Sequence, residues 1–408
     1  MLSRHVQPLL NSLLSQFACV AVLGVRQCGK TTLIRQLPGL WQHFDLENRA
    51  DRGQILADPD LFFRLHPQAA AIDEAQLAPD IFPALRVAID SDRARKGRFL
   101  LSGSSSPHLS RHIAESLAGR IAYVELAPLT AGEACQLPPP PIISLLAGRA
   151  DPEAIVSGAV ARVDLAALMQ HWLHGGYPEP WTSGDATFRR NWPRFYWDSY
   201  LLRDIGGLFP QLNRDRFSHF VQMLAHLSGT IINNAEIGRA LAVSEPTVRD
   251  WLAIAQGTFL WRTVPAWDRS PHKQLMRHGK GYFRDSGLLL RQLQVNDANQ
   301  LTTHPRQGHF WESYVTEALL RGFSNAGVQV SPFHFRTRGG AEVDLIVDGE
   351  FGTIPIEIKF GSATDLRDCR HLAQFVSDHG CAVGLVIDNG ERPRRLAEKI
   401  VAVPAACL

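Results

Sequence analysis

Residues Gly24-Val25-Arg26-Gln27-Cys28-Gly29-Lys30-Thr31 spell G-x-x-x-x-G-K-[ST], and the residues on either side fix the local fold. The apolar run before them, Phe17-Ala18-Cys19-Val20-Ala21-Val22-Leu23, predicts a buried strand. The run after them, Thr32-Leu33-Ile34-Arg35-Gln36-Leu37, predicts one or two helical turns stopped by Pro38. A strand, a glycine loop and a helix in that order turn backbone N–H groups and a helix N-terminus toward phosphate. Lys30 is then placed to reach the β- and γ-phosphates, and the Thr31 hydroxyl to sit on Mg²⁺. Gly24, Arg26, Gln27, Cys28, Gly29, Lys30, Thr31 and Thr32 are expected to bind the nucleotide, ATP or GTP. The loop alone does not say what the nucleotide is used for.

Hydrolysis needs an acidic strand end beside that loop. Ala69-Ala70-Ala71-Ile72-Asp73-Glu74 supplies an apolar strand ending in two acids, with Asp73 placed 43 residues after Lys30. Asp73 is expected to hold Mg²⁺ through its water shell, and Glu74 to act as general base on the attacking water. Gln76 follows two residues later. A further strand ends Leu100-Leu101-Ser102-Gly103-Ser104, so Ser102 or Ser104 is placed to sense the γ-phosphate or the water. Arg120 and Arg203 are the alternatives for an arginine finger if the chain assembles as a ring or dimer. Either arginine suits an internal salt bridge equally well.

A chain of 408 residues suggests two to four domains, and a net charge of +2 means that any nucleic-acid surface must be local. The six cysteines, at 19, 28, 135, 369, 381 and 407, form no C-x-x-C pair and no zinc-like spacing. That usage points to a reducing cytoplasm. No apolar run reaches the roughly 20 residues of a membrane span, so no membrane partner is expected.

The first 130 or so residues alternate short strands with helical patterns, the rhythm of a parallel α/β sheet. Strands are expected at 18–23, 69–72, 98–101 and 121–126. Leu137-Pro138-Pro139-Pro140-Pro141 reads as a stiff, non-helical boundary. A mostly helical stretch follows, interrupted at Gly175-Gly176-Tyr177-Pro178. Residues 233–260 have helix-turn-helix periodicity, with Ile237, Leu241, Val243, Val248 and Leu252 as its small core and Ser244 as an N-cap. Thr247 and Arg249 are expected to face outward, where a recognition helix meets DNA. Glu245 and Asp250 beside them weaken phosphate affinity, and the same shape also serves as an ATPase lid or a protein-contact module.

Near the C-terminus, Gly339-Gly340-Ala341-Glu342-Val343-Asp344-Leu345-Ile346-Val347 predicts a strand. Turn signals at Asp348-Gly349 lead to a second strand, Ile354-Pro355-Ile356-Glu357-Ile358-Lys359. Alternation puts Glu357 and Lys359 on one side, and the neighbouring strand brings up Asp344. Two carboxylates and a lysine form a metal-and-base set: Asp344 and Glu357 for Mg²⁺, Lys359 to orient or deprotonate water. Glu312 is a further helical carboxylate, and Gln374 a weaker candidate. The segment resembles the PD-(D/E)xK nucleases.

The chain as a whole resembles a large bacterial and archaeal family of AAA-type ATPases with a C-terminal domain of unknown function. The resemblance rests on the P-loop, on Ile72-Asp73-Glu74-Ala75-Gln76, Ser102-Gly103-Ser104-Ser105 and Ser116-Leu117-Ala118-Gly119-Arg120, and further along on Gly175-Gly176-Tyr177-Pro178-Glu179 and Lys280-Gly281-Tyr282-Phe283-Arg284-Asp285-Ser286-Gly287-Leu288. Cys28 departs from it by replacing an aliphatic residue. The fold class expected is α/β: a P-loop parallel-sheet ATPase domain over 1–135, a linker and helical lid region over 136–230, a winged-helix-like domain over 231–300 and a PD-(D/E)xK nuclease-like α/β domain over 301–408. The expected function is ATP hydrolysis driving action on DNA by a motor or remodeller. A protein-binding nucleotide switch and an ATP-gated, Mg²⁺-dependent nuclease are the competing readings.

Overall fold

The computed structural model describes residues 2–104, 117–148, 150–268, 270, 278–337 and 339–408; the side chains of Leu202 and Arg203 also lie outside this description. Two compact units emerge: Ser3–Pro128 with Gly257–Phe259 forms one, and Leu129–Gln256 with Leu260–Leu408 forms the bulk of the other.

The first unit is built on five strands: β1 Cys19–Gly24, β2 Gln42–Asp45, β3 Ala70–Asp73, β4 Phe99–Ser104 and β5 Ile121–Glu125. They form one parallel sheet in the order β2-β3-β4-β1-β5. β1 lies between β4 and β5 and all six of its residues are buried, as the unbroken apolar run requires of a central parallel strand. β1, β3, β4 and β5 stand within one to three residues of the expected limits. The strand the sequence pattern misses is β2: Gln42-His43-Phe44-Asp45 is polar and sits at the sheet's edge, where burial imposes no apolar run. The helix Ile81–Asp90 buries Ile81, Phe82, Leu85 and Ile89, an apolar stripe at helical spacing, in a core that also holds Phe62, Phe63 and Phe99.

The second unit takes in the three segments expected after the ATPase domain apart from Gly257–Phe259. Its proline run corrects one expectation. Pro141 does not extend the irregular boundary but opens the helix Pro141–Ala147. At the first helical position the missing N–H has no partner to lose. The helices Asn234–Leu241 and Glu245–Gly257 form the expected pair. Ile237, Val248 and Leu252 are buried, whereas Leu241 and Val243 are only half-buried; Trp251, Ile254 and Ala255 supply the remaining core. Ser244 Oγ accepts from Thr247 N at 3.3 Å, as an N-cap does, and this ties up Thr247 while Arg249 stays exposed.

Three antiparallel strands, β6 Thr230–Ile231, β7 Trp261–Val264 and β8 Lys280–Phe283, pair in the order β6-β8-β7. The last sheet comprises β9 Val330–Arg336, β10 Glu342–Gly349, β11 Gly352–Ile358, β12 Gly384–Asp388, β13 Arg394–Ala397 and β14 Ile400–Pro404. Its order is β13-β14-β12-β11-β10-β9, antiparallel at both ends and parallel through β11, β12 and β14. The β10–β11 hairpin turns at Glu350-Phe351 rather than at Asp348-Gly349, which remain in β10. Gly352, at φ 92°, provides the left-handed backbone the turn needs.

Candidate functional site

Close packing explains the glycines of the nucleotide loop. A Cβ on Gly24 would stand 2.2 Å from the Leu126 carbonyl oxygen. Gly29 adopts φ 98° and Gln27 φ 61°, both left-handed, which bends the loop into a cup. Lys30 is buried and donates to the carbonyls of Gly24 at 3.2 Å and Val25 at 3.0 Å. Arg4, ahead of the first helix, braces the loop by donating to the Cys28 carbonyl at 2.8 Å and to that of Ala127 at 2.6 Å. Cys28 is fully buried, and burial raises its thiol pKa, so it fills an aliphatic place in unreactive form. The Arg26 guanidinium meets Glu47 at 2.8 Å. Thr32 is exposed on the helix Lys30–Arg35.

The acidic strand end lies against that helix. Thr31 Oγ1 donates to Asp73 Oδ2 at 2.5 Å, and Ser102 donates to Asp73 Oδ1. Burial raises the Asp73 pKa, with Glu74 and Asp45 adding to the rise and the Thr31 hydrogen bond opposing it. Glu74 has left-handed backbone at φ 56°, and its Oε2 accepts from Gln76 Nε2 and, at 3.3 Å, from Ser104 Oγ. The two serines thus divide between the two acids, Ser102 on Asp73 and Ser104 on Glu74. Hydroxyl and carboxylate together are the hard oxygen donors that suit Mg²⁺. Arg120 is held by Asp90 in a two-pronged pair at 2.8 and 2.9 Å. The Arg203 side chain lies outside the described residues.

A second concave site, a cavity of about 640 Å³, belongs to the second unit. Asp344, Glu357, Lys359 and Glu312 all line it, and Gln374 does not. The register Leu345↔Ile356, carried one step on, sets Asp344 against Glu357. Asp344 Oδ2 accepts from Ile358 N at 2.8 Å, and Lys359 Nζ donates to Glu357 Oε1 at 2.7 Å. Burial and the nearby Asp344 carboxylate push Glu357 up to about 7. Its Oε2 is buried with no hydrogen-bond partner among the described residues. An orphaned carboxylate oxygen beside a second carboxylate fits a divalent cation held by two protein oxygens, its other positions filled by water and phosphate. Among the described residues no group of three or more His, Cys, Asp and Glu side chains is arranged to hold a metal ion.

Residues 16–135 match the family described as AAA domain, residues 165–299 a domain of unknown function (DUF8612), and residues 307–408 a domain of unknown function (DUF4143). Over 389 residues the chain is 32% identical to the uncharacterized protein Rv2008c of Mycobacterium tuberculosis, covering 95% of this chain and 80% of that protein. The uncharacterized protein Mb2031c of Mycobacterium bovis aligns with the same figures. The chain belongs to the family of these two mycobacterial proteins. The AAA match covers the P-loop and the parallel sheet of the first unit and supports a P-loop domain of the AAA type there. Among solved structures, the Walker-type ATPase PABY2304 of Pyrococcus abyssi is similar at 16% identity and a TM-score of 0.45, covering 72% of this chain and 96% of that one.

In the second unit, two of the motifs behind the resemblance meet in space. A Cβ on Gly176 would lie 2.2 Å from the Leu129 carbonyl oxygen, and one on Gly287 would lie 2.2 Å from that of His174. The buried Asp285 carboxylate accepts from Gly176 N at 2.9 Å and Leu288 N at 3.0 Å. These residues lock helices together. Others line the cavity unforeseen. From the sequence Lys280 stands out only within a motif of the family resemblance and Glu342 only within an expected strand, neither with a site role, and Arg336, Arg367 and Arg370 resemble any exposed arginine until the fold gathers them at one cavity.

Proposed function

We propose that the chain hydrolyses Mg²⁺-ATP at residues 24–32 and uses the cycle to act on DNA engaged by its second unit. The observation that carries the hydrolytic reading is the network joining Thr31, Asp73 and Ser102, with Glu74 beside it. Lys30, now on two loop carbonyls, has the reach to trade them for phosphate oxygens. Thr31 and Asp73 would hold the metal, which would offset charge on the phosphates. Glu74, aimed by Gln76 and Ser104, takes the proton of the attacking water. An arginine completes the charge around the γ-phosphate, from a neighbouring copy in a ring or dimer. Arg120 is already engaged by Asp90, so Arg203 is the first to test.

The DNA reading rests on the cavity, where Arg336, Arg367 and Arg370 rim a floor of acids. Guanidinium groups suit phosphodiester oxygens, and Asp344 with Glu357 suits the divalent cation that accompanies them. The nuclease-like set Asp344, Glu357 and Lys359 belongs to this reading, as does the winged-helix character of 231–300. The test is the ATPase rate across a panel of DNA forms, with Glu74→Gln as control. A rate raised by one DNA form supports it. A rate indifferent to all of them favours the protein-binding switch instead. Mg²⁺-dependent cleavage abolished by Asp344→Ala or Lys359→Ala would favour the nuclease.

A further inference from the structure

The floor of the same cavity holds a cation of its own. Lys280 reaches it from β8, in the three-stranded sheet, and its side chain is only 4% exposed. Its Nζ stands 2.6 Å from Glu312 Oε1, 3.2 Å from Glu342 Oε1 and 3.7 Å from Asp344 Oδ1. Tyr282, two residues along and therefore on the same face of the strand, donates to Glu312 Oε1 at 2.6 Å. An ammonium carries three donors and no acceptor; here Glu312 and Glu342 accept from it, and Asp344 stands close as a third counter-charge. Burial and the nearby Asp344 carboxylate push Glu312 up to about 8, against the two donors on its Oε1, which favour the charged form. Burial also opposes the charge on Lys280, yet Tyr282, Glu312, Asp344 and Glu342 together hold its pKa well above the ordinary lysine value.

Of the five carboxylates that line this cavity, Asp368 is exposed and the other four cluster beside Lys280 and Lys359, an acidic setting of the kind that pairs of divalent cations occupy in two-metal sites. Their surroundings differ. Glu312, Glu342 and one oxygen of Asp344 face Lys280, and Lys359 meets only one oxygen of Glu357, leaving Oε2 bare. We propose that the Lys280 ammonium permanently fills one of two cation positions, so that the site takes a single divalent cation, on Asp344 and Glu357. This rests on the reading of the cavity as a metal-assisted phosphodiester site. It also gives the lysine of Lys280-Gly281-Tyr282 a role: it is a tethered counter-ion positioning the acids, and does not touch the reacting atoms.

Counting Mn²⁺ bound to the nucleotide-free full chain, by calorimetry and by the loss of free-ion electron paramagnetic resonance signal, tests it. Lys280→Met should bind one Mn²⁺ more than the parent, and Asp344→Asn one fewer. Equal counts for Lys280→Met and the parent overturn the proposal. If Asp344→Asn and the parent bind equally while Lys280→Met still gains one, the Asp344–Glu357 metal reading fails and the role of Lys280 stands. If Lys280→Met does not fold, Lys280→Gln is counted instead, since its amide still donates to Glu312 without the charge; the same gain of one is expected, and no gain overturns the proposal.

Discussion

The Thr31 hydroxyl donates to Oδ2 of Asp73 at 2.5 Å, joining residues 42 apart in the sequence. The helix after the glycine loop and the end of β3 are thereby tied together through the two side chains that offer hard oxygen donors to a cation. Asp73 is held by Ser102 as well, so its orientation does not depend on nucleotide. Glu74 has no such anchor to the metal side; it is aimed by Gln76 and Ser104. The two acids are therefore separable by mutation. Glu74→Gln should lower ATP turnover roughly 10²- to 10⁴-fold, the worth of a positioned base, while ATP affinity in a fluorescent-nucleotide titration stays near the parent value. Asp73→Asn should instead weaken Mg²⁺-dependent nucleotide binding. Full turnover by Glu74→Gln would remove Glu74 from the base role.

Gly176 has no room for a side chain, because a Cβ would stand 2.2 Å from the Leu129 carbonyl oxygen, a backbone atom that cannot step aside. Its N–H is also committed to Asp285. Gly176→Ala should cost roughly 3 kcal/mol through overpacking, visible as a lower midpoint in urea unfolding of the second unit. Glu74→Gln should leave that transition unchanged.

Glu317 lies buried among three guanidinium groups: Arg262, Arg284 at 3.4 Å and Arg321 at 3.9 Å. Burial works against its charge, but Arg262 and Arg284 outweigh it and hold the carboxyl at about 2. Removing the anion strands the buried cations. Glu317→Gln should cost on the order of 3 to 5 kcal/mol, more than an exposed pair ever contributes. A double variant, Glu317→Gln with Arg284→Met, should recover part of that loss. Thermal melts of the three proteins check both claims, and a single variant as stable as the parent would refute them.

How legible a residue was in the sequence depended on how its constraint is carried. β1 and the glycine loop were readable because a central strand needs an unbroken apolar run and a phosphate cup needs small residues at fixed spacing. β2 was hidden because an edge strand of Gln42, His43, Phe44 and Asp45 obeys neither pattern. Asp344, Glu357 and Lys359 were readable because they share one hairpin, where spacing along the chain becomes spacing in the site. Lys280 and Arg4 were not, since each reaches its partners from a distant element: Lys280 stands 62 residues from Glu342, and Arg4 24 residues from Cys28. Pro141 misled for the opposite reason, since the residue that breaks a helix interior suits its first turn.

His171 gives the second unit a defined acid limit. The ring is buried, with Nδ1 2.9 Å from the Tyr314 hydroxyl and Nε2 3.0 Å from the Leu129 carbonyl. One proton, on Nε2, satisfies both: Nε2–H donates to the carbonyl and Nδ1 accepts from the tyrosine. A second proton, on Nδ1, would require the Tyr314 hydroxyl to turn and accept, and would place a charge in a buried site. Burial first, and then Arg321, lower its pKa from 6.5 to about 4. The unfolded chain therefore takes up a proton below about pH 6.5 that the folded chain refuses until about pH 4. Stability present above that window falls as pH drops through it, by up to roughly 3 kcal/mol from this residue. His171→Gln, which can still donate to Leu129 but does not titrate, should start less stable at neutral pH and lose less on acidification. Melting temperatures measured every half unit from pH 7.5 to 4 should converge for the two proteins; parallel curves would show that His171 does not set the acid limit.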